Sequence, residues 1–168
     1  MDITKIGEAA LAADKYSGCS QSVLLALQDA FAIGDLASFK AATVLSGGVA
    51  RRGETCGALL GGLMALGLVA GREDITNTQA YRDAMKPANA IIEAFKRRLQ
   101  LAFGFETPLD STLCWDIQEK IYGRHFDLTD PTDYQAFLAE GGHDDDGCPK
   151  VCAIAAMVTA ETLQALSP

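Results

Sequence analysis

The stretch from Gly47 to Gly71 constrains the fold of this chain more than any other part of its sequence. It reads GGVARRGETCGALLGGLMALGLVAG, and from Cys56 onward almost every residue is apolar or glycine. Small residues spaced along a helix let neighbouring helices approach its backbone closely. The apolar part is about four residues shorter than the ~20 that a membrane span needs. We therefore predict a buried central helix that begins at Cys56.

The position of Cys56 at a predicted helix start has a chemical consequence. Unpaired backbone N–H groups and the positive end of the helix dipole favour the thiolate there, and Arg51 and Arg52 add positive charge nearby. Thiolates attack disulfides and bind metals. The two arginines could also bind an anionic ligand at this helix start. The alternative is an inert core cysteine, because free cysteine is among the most buried residue types.

Length and charge limit the class of protein. A chain of 168 residues can build a sizeable core, and we predict a single domain over residues 1–168. The formal net charge of −8 argues against nucleic acid or an anionic membrane surface as partners, because both are bound by basic residues. The first 16 residues show helical spacing and lack the apolar core of a signal peptide. We expect a cytoplasmic protein with no membrane insertion.

Apolar residues recur at helical spacing along the chain, and no run of alternating β residues interrupts them. Asp35 and Thr76 are candidate helix caps, and Pro149 occupies a first helical position, where proline costs least. Pro87 is expected to kink the long helix that follows Thr76. The predicted helices start near residues 3, 19, 35, 56, 76, 114, 131 and 148. We therefore predict an all-α helical bundle around the glycine-rich helix, with an irregular segment (104–147) before the C-terminal helix.

The chain contains five cysteines, an odd number that does not suggest a disulfide framework in a reducing compartment. There is no C-x-x-C pair, and the spacing matches no zinc finger. Cys19, Cys56 and Cys148 fall at predicted helix starts, whereas Cys114 stands beside Trp115 in the irregular segment. The partial positive charge at the start of a helix stabilises a thiolate there. Four thiolates could hold an iron–sulfur cluster, and two could cycle between dithiol and disulfide.

Four blocks of sequence resemble one known family. They read GCSQSVLLAL, GGVARRGETCGALLGGLMALGL, STLCWDI and CPKVCAIAA, and together they extend over roughly residues 15–160. The chain is similar in these blocks to the C_GCAxxG_C_C family of redox-active proteins, whose hallmark cysteines correspond to Cys19, Cys56, Cys114 and Cys148. The resemblance implies a small helical protein with redox-active cysteines, often encoded beside transporters. Cys152 lies outside the hallmark set.

Three hypotheses for function remain open at this level. In the first, Cys19, Cys56, Cys114 and Cys148 bind an iron–sulfur cluster or another metal, for electron transfer or redox sensing with a redox partner not identified from sequence. In the second, Cys56 attacks a disulfide, and Cys114 or Cys148 resolves the mixed disulfide.

The third hypothesis is a non-catalytic accessory module, for example for a transporter, whose cysteines hold zinc or only pack. His143, which precedes three aspartates, could add a metal ligand, although such acidic loops are usually solvated turns. The glycine-rich face suggests a homodimer, and the alternative is that this face packs entirely within the monomer.

Overall fold

A computed structural model describes residues 1–166, and every regular element in that part of the chain is helical. An isolated antiparallel bridge joins Thr55 and Leu113. The predicted all-α class is therefore confirmed. The helices are α1 (Ile3–Asp14), α2 (Cys19–Phe31), α3 (Leu36–Ala41) with a following 3₁₀ helix (Ala42–Leu45), α4 (Gly57–Ala70), α5 (Thr78–Phe103), α6 (Cys114–Tyr122), α7 (Pro131–Ala139) and α8 (Cys148–Leu166).

The glycine-rich helix α4 lies between α2 and α8, as its composition predicts. A Cβ atom at Gly61 would lie 2.3 Å from the carbonyl oxygen of Ser20 in α2, and one at Gly62 would lie 2.3 Å from Oγ1 of Thr159 in α8. At Gly61 the backbone of α2 leaves no room for a larger residue, and at Gly62 a larger residue would have to displace the Thr159 hydroxyl. The two glycines therefore allow both neighbouring helices to approach the backbone of α4.

The long helix α5 differs from the sequence-based expectation at its start. Asn77, not Thr76, is the N-cap, and its side chain accepts a hydrogen bond from the backbone N–H of Ala80. The helix is continuous through Pro87. Its buried residues lie only in the C-terminal half, where Ile91, Phe95 and Leu99 pack into the main core.

The segment predicted to be irregular contains the two short helices expected there, α6 and α7, and a second, smaller hydrophobic cluster. Phe126, Leu128 and Phe137 form this cluster, and Tyr122 and Cys148 pack against it. The cluster therefore connects the segment to the start of α8. Within residues 1–166, no helix combines the length and hydrophobicity that crossing a membrane requires.

Candidate functional site

Four helices begin at a cysteine, and all four cysteines line the same cavity. Cys19, Cys114 and Cys148 are the first residues of α2, α6 and α8, and Cys56 is the N-cap of α4. The sequence predicted a helix start at all four positions, including a short helix from Cys114 to Tyr122 within the irregular segment. The fifth cysteine, Cys152, also lines the cavity from one turn inside α8. All five belong to the described residues and are free thiols.

The cavity has a volume of about 60 Å³, enough for a few atoms the size of water. Apart from the cysteines, much of its wall is apolar, with side chains from four helices and the loop before α7. Unpaired N–H groups and a partial positive charge are found at each helix start. The four helix starts therefore offset part of the cost of placing negative charge inside this shielded space. The apolar lining residues are Ala58, Ile117, Leu128, Phe137 and Val151.

A loop with strained backbone conformations precedes Cys56 and positions it at the cavity. Five consecutive residues, Gly47 to Arg51, have positive φ angles, and three of them, Val49, Ala50 and Arg51, are not glycine. Backbone hydrogen bonds close the loop, including Gly53 N–H to Gly47 O (3.2 Å) and Glu54 N–H to Gly48 O (3.0 Å). Left-handed conformations of this kind cost non-glycine residues roughly 1–2 kcal/mol each, so the surrounding packing must maintain them.

The end of the same loop pairs with the segment before α6, and this pairing places Cys56 beside Cys114. The backbone N–H of Cys56 donates to the carbonyl of Thr112 (2.8 Å), and that of Cys114 donates to the carbonyl of Glu54 (2.7 Å). Two cysteines that are 58 positions apart in the sequence thus become neighbours through a short antiparallel contact. Local sequence patterns carry no signal for this pairing.

Three further contacts involve cysteine sulfur atoms. The Tyr122 hydroxyl donates to Sγ of Cys148 (3.8 Å), and the Gln118 side-chain amide donates to Sγ of Cys114 (3.7 Å). The other end of Gln118 accepts a hydrogen bond from the backbone N–H of Phe126, which holds the amide in this orientation. Sγ of Cys152 donates to the carbonyl of Cys19 (3.9 Å). Sequence reasoning missed both Tyr122 and Gln118, although Gln118 follows Cys114 by one helical turn.

Burial raises the pKa of the thiols, contrary to the thiolate predicted from the helix start. Desolvation raises the pKa of Cys56 to about 11, although hydrogen bonds from the backbone N–H groups of Leu59 and Ala58 lower it. The pKa of Cys19 rises to about 12, because of burial first and then the nearby charges of Cys56 and Asp14. The helix-start effect is therefore present at Cys56, but desolvation outweighs it.

The pKa values of Cys114, Cys148 and Cys152 also lie well above the ordinary range for a thiol. Burial is the largest cause for all three, and the charges of other cysteines and of Asp14 add to it. All five cysteines are therefore protonated thiols at neutral pH. A ligand that binds thiolates must displace these protons.

The two predicted arginines occupy different environments. Arg51 lines the cavity, where its guanidinium lies 4.8 Å from the centre of the Tyr134 ring and donates to the carbonyl of Leu128 (3.4 Å). Arg52 is exposed, and its charge contributes to lowering the pKa of Asp127. Both arginines are exposed, and Arg51 also contributes to the cavity wall.

The donor set of the cavity fits a soft metal or an iron–sulfur cluster, which bind cysteine thiolates. In the described part of the chain, no three His, Cys, Asp or Glu side chains are already grouped as metal ligands. The thiols lie around the wall of the cavity. Deprotonation and rotation of these side chains are therefore needed before they could act together as ligands.

Residues 17–162 match the family described as "Putative redox-active protein (C_GCAxxG_C_C)". The match covers most of the chain and includes every residue that lines the cavity. Comparisons with curated proteins and with solved structures find no match.

Proposed function

The chain belongs to the C_GCAxxG_C_C family, and from this premise we propose that Cys19, Cys56, Cys114 and Cys148 bind a redox-active metal centre. An iron–sulfur cluster is the first candidate, and its role is electron transfer or redox sensing. The observation that carries the proposal is the convergence of four helix starts, each with its cysteine, on one cavity.

Electrostatics support a thiolate-bound centre more than free thiolates. Four cysteine thiolates carry four negative charges, which repel each other and are poorly solvated in an apolar cavity. A metal centre offsets most of that charge, and the four helix dipoles stabilise what remains. The raised thiol pKa values are thus compatible with metal binding, because the metal replaces the protons.

Hydrogen-bond donors to the sulfur atoms also support this function. Tyr122 and Gln118 donate to Cys148 and Cys114, and such donors tune the reduction potential of a thiolate-bound centre. Arg51 at the wall supplies a positive charge that favours an anionic centre. Because the chain is acidic, a redox partner with a basic surface is the better electrostatic match.

The proposal is tested by purifying the full chain without oxygen and measuring iron and acid-labile sulfide. We expect a coloured protein that contains both, directly or after reconstitution. Replacing Cys19, Cys56, Cys114 or Cys148 singly by serine should abolish stable loading. The matched control is Cys152→Ser, which changes a fifth thiol of the same cavity and should retain the centre. A wild-type protein that takes up no metal would exclude this function.

Thiol–disulfide exchange is the second candidate, and the backbone pairing that brings Cys56 beside Cys114 favours it. In this reaction the Cys56 thiolate attacks a substrate disulfide and releases one substrate thiol. Cys114 then attacks the mixed disulfide, which releases the second thiol and leaves a Cys56–Cys114 disulfide. The substrate is reduced and the protein is oxidised. The high pKa of Cys56 opposes the first step, so we rank this reaction below metal binding.

Mass spectrometry after rapid alkylation separates the two candidates. Exchange requires one reproducible disulfide under mild oxidation, lost again on mild reduction. Metal binding requires protection of the four hallmark thiols that disappears when a chelator removes the metal. Metal-free protein with five equally reactive thiols would instead support the non-catalytic accessory module.

A further inference from the structure

Asp14, at the end of α1, is a buried carboxylate without a hydrogen-bond partner. Its side chain is 1% exposed, and neither oxygen accepts a hydrogen bond within the described part of the chain. The adjacent cation, Lys15, is already paired with Asp145 at 2.7 Å. Burying an unpaired carboxylate costs several kcal/mol, so an isolated Asp14 is a costly feature of the core.

His143 is the side chain that Asp14 faces. Its Nδ1 lies 3.7 Å from Oδ2 of Asp14, just beyond hydrogen-bond range, and this nitrogen is also buried without a partner. His143 lines the cysteine cavity, where its ring makes an edge contact with Phe137 at a centroid distance of 5.4 Å. Its side chain is 21% exposed, and it also lines a groove on the surface.

The backbone fixes His143 close to the start of α8. The N–H of Cys148 donates to the carbonyl of Gly142 (3.1 Å), the residue before His143. A Cβ atom at Gly142 would lie 2.3 Å from the Phe137 ring, so this turn packs tightly against the cavity wall. His143 therefore lies in the packed turn that leads into α8 at Cys148.

A histidine with one ring nitrogen next to a buried carboxylate has the arrangement of a metal ligand. Metal-binding histidines almost always direct the second ring N–H to a carboxylate, a carbonyl or water, which fixes the ring and increases its basicity as a ligand. We propose that His143 is a nitrogen ligand of the metal centre, alongside cysteine thiolates, and that Asp14 is the positioning residue that holds its ring. This inference rests on the metal-binding function proposed above.

Cobalt(II) is a suitable probe because its visible spectrum and its magnetic resonance distinguish sulfur-only from mixed sulfur and nitrogen coordination. The full chain is loaded with cobalt(II) without oxygen, in wild type and in His143→Asn. Asparagine keeps an N–H donor near Asp14 but removes the outer ring nitrogen. Histidine labelled with ¹⁵N then identifies the nitrogen ligand through its hyperfine coupling.

The second histidine of the chain offers a matched control. His125 is 50% exposed, lies 3.9 Å from a carboxylate oxygen of Glu119, and stacks on Trp115 outside the cavity. We expect wild type and His125→Asn to show histidine hyperfine coupling and His143→Asn to lose it. Asp14→Asn should keep the coupling but bind cobalt(II) about 10- to 100-fold more weakly, as is typical when the carboxylate partner of a ligand is removed.

The outcomes separate this inference from the proposed function. Wild-type protein that binds cobalt(II) or iron without histidine coupling would overturn the role of His143 and leave the cysteine centre intact. Wild-type protein that binds neither metal would overturn both. If His143→Asn does not fold, the labelled wild type alone shows whether a histidine binds the metal. His143→Gln, which places its amide nearer the outer ring nitrogen, is the second variant.

Discussion

The Cα atom of Gly57 lies against the sulfur of Cys19, so closely that a Cβ atom at Gly57 would be 2.6 Å from that Sγ. The first helical residue of α4 therefore has to be glycine for Cys19 and Cys56 to share the cavity. The same hypothetical Cβ would also lie 2.8 Å from the carbonyl oxygen of Leu45, so a side chain at this position could not avoid Cys19 by shifting toward the Leu45 backbone.

Gly57→Ala should consequently destabilise the protein by about 1–3 kcal/mol, because the added methyl overpacks the contact between α4 and α2. Gly67→Ala is the matched control, since a Cβ there meets nothing within 4 Å. Alanine is the better helix former, so this control should gain about 0.5–1 kcal/mol. Urea denaturation measures both values. Equal midpoints for the two variants would contradict the contact with Cys19.

The left-handed loop before Cys56 predicts a stabilising substitution. Ala50 has a φ of 53° and is exposed, so glycine removes the steric strain without removing a buried contact. We expect Ala50→Gly to leave stability unchanged or raise it by up to about 1 kcal/mol. Ala90→Gly, at an exposed position inside α5, should lower it by about 1 kcal/mol. Thermal unfolding of both variants gives the comparison, and a similar loss in both would mean that Ala50 is not strained.

The raised pKa values of the buried thiols predict that the metal-free protein loses stability in alkaline solution. An unfolded thiol titrates near pH ~8.5, whereas Cys56 in the fold titrates near about 11. The folded state therefore holds the proton more tightly. The stabilisation is complete below pH ~8.5 and is lost as the pH rises toward 11, by about 1.4 kcal/mol per pH unit for each such thiol.

Urea denaturation from pH 7 to pH 10.5 tests this expectation, with Cys56→Ala as the comparison. Without the Cys56 thiol, the free energy of unfolding should fall less steeply with pH, by the contribution of one proton, which is about 1.4 kcal/mol per pH unit. A slope identical to that of wild type would show that Cys56 does not remain protonated in the fold.

The hydrogen bond from Tyr122 should influence the reduction potential of the metal-loaded centre. Its hydroxyl donates to Sγ of Cys148 and lowers the pKa of that thiol, so it stabilises negative charge on the sulfur. Tyr122→Phe should move the reduction potential about 20–60 mV more negative, which corresponds to losing one hydrogen bond of ~0.5–1.5 kcal/mol in a one-electron couple.

Anaerobic redox titration measures the potential of this variant. Tyr134→Phe is the control, because Tyr134 also lines the cavity but presents its ring to Arg51. An unchanged potential in Tyr122→Phe, with iron content at the wild-type level, would remove Tyr122 from the electronic environment of the centre.

Local sequence features determined the helices and most of the cysteine positions. Periodic apolar residues, caps and prolines place the start of α2 at Cys19 and the start of α8 at Cys148, and the glycines of α4 indicate a helix packed on two sides. These features act between residues that are close in sequence, so they are readable without coordinates. The hallmark cysteines could be recognised for the same reason, from their immediate neighbours.

The properties of the site were decided by the tertiary structure. Helix position alone predicted a thiolate at Cys56, but packing removes water from the thiol, and this desolvation raises its pKa despite the helix dipole. The pairing of Cys56 with Cys114 and the approach of Asp14 to His143 join residues that are 58 and 129 positions apart. Burial and contacts of that kind depend on how the whole chain packs, which no local pattern encodes.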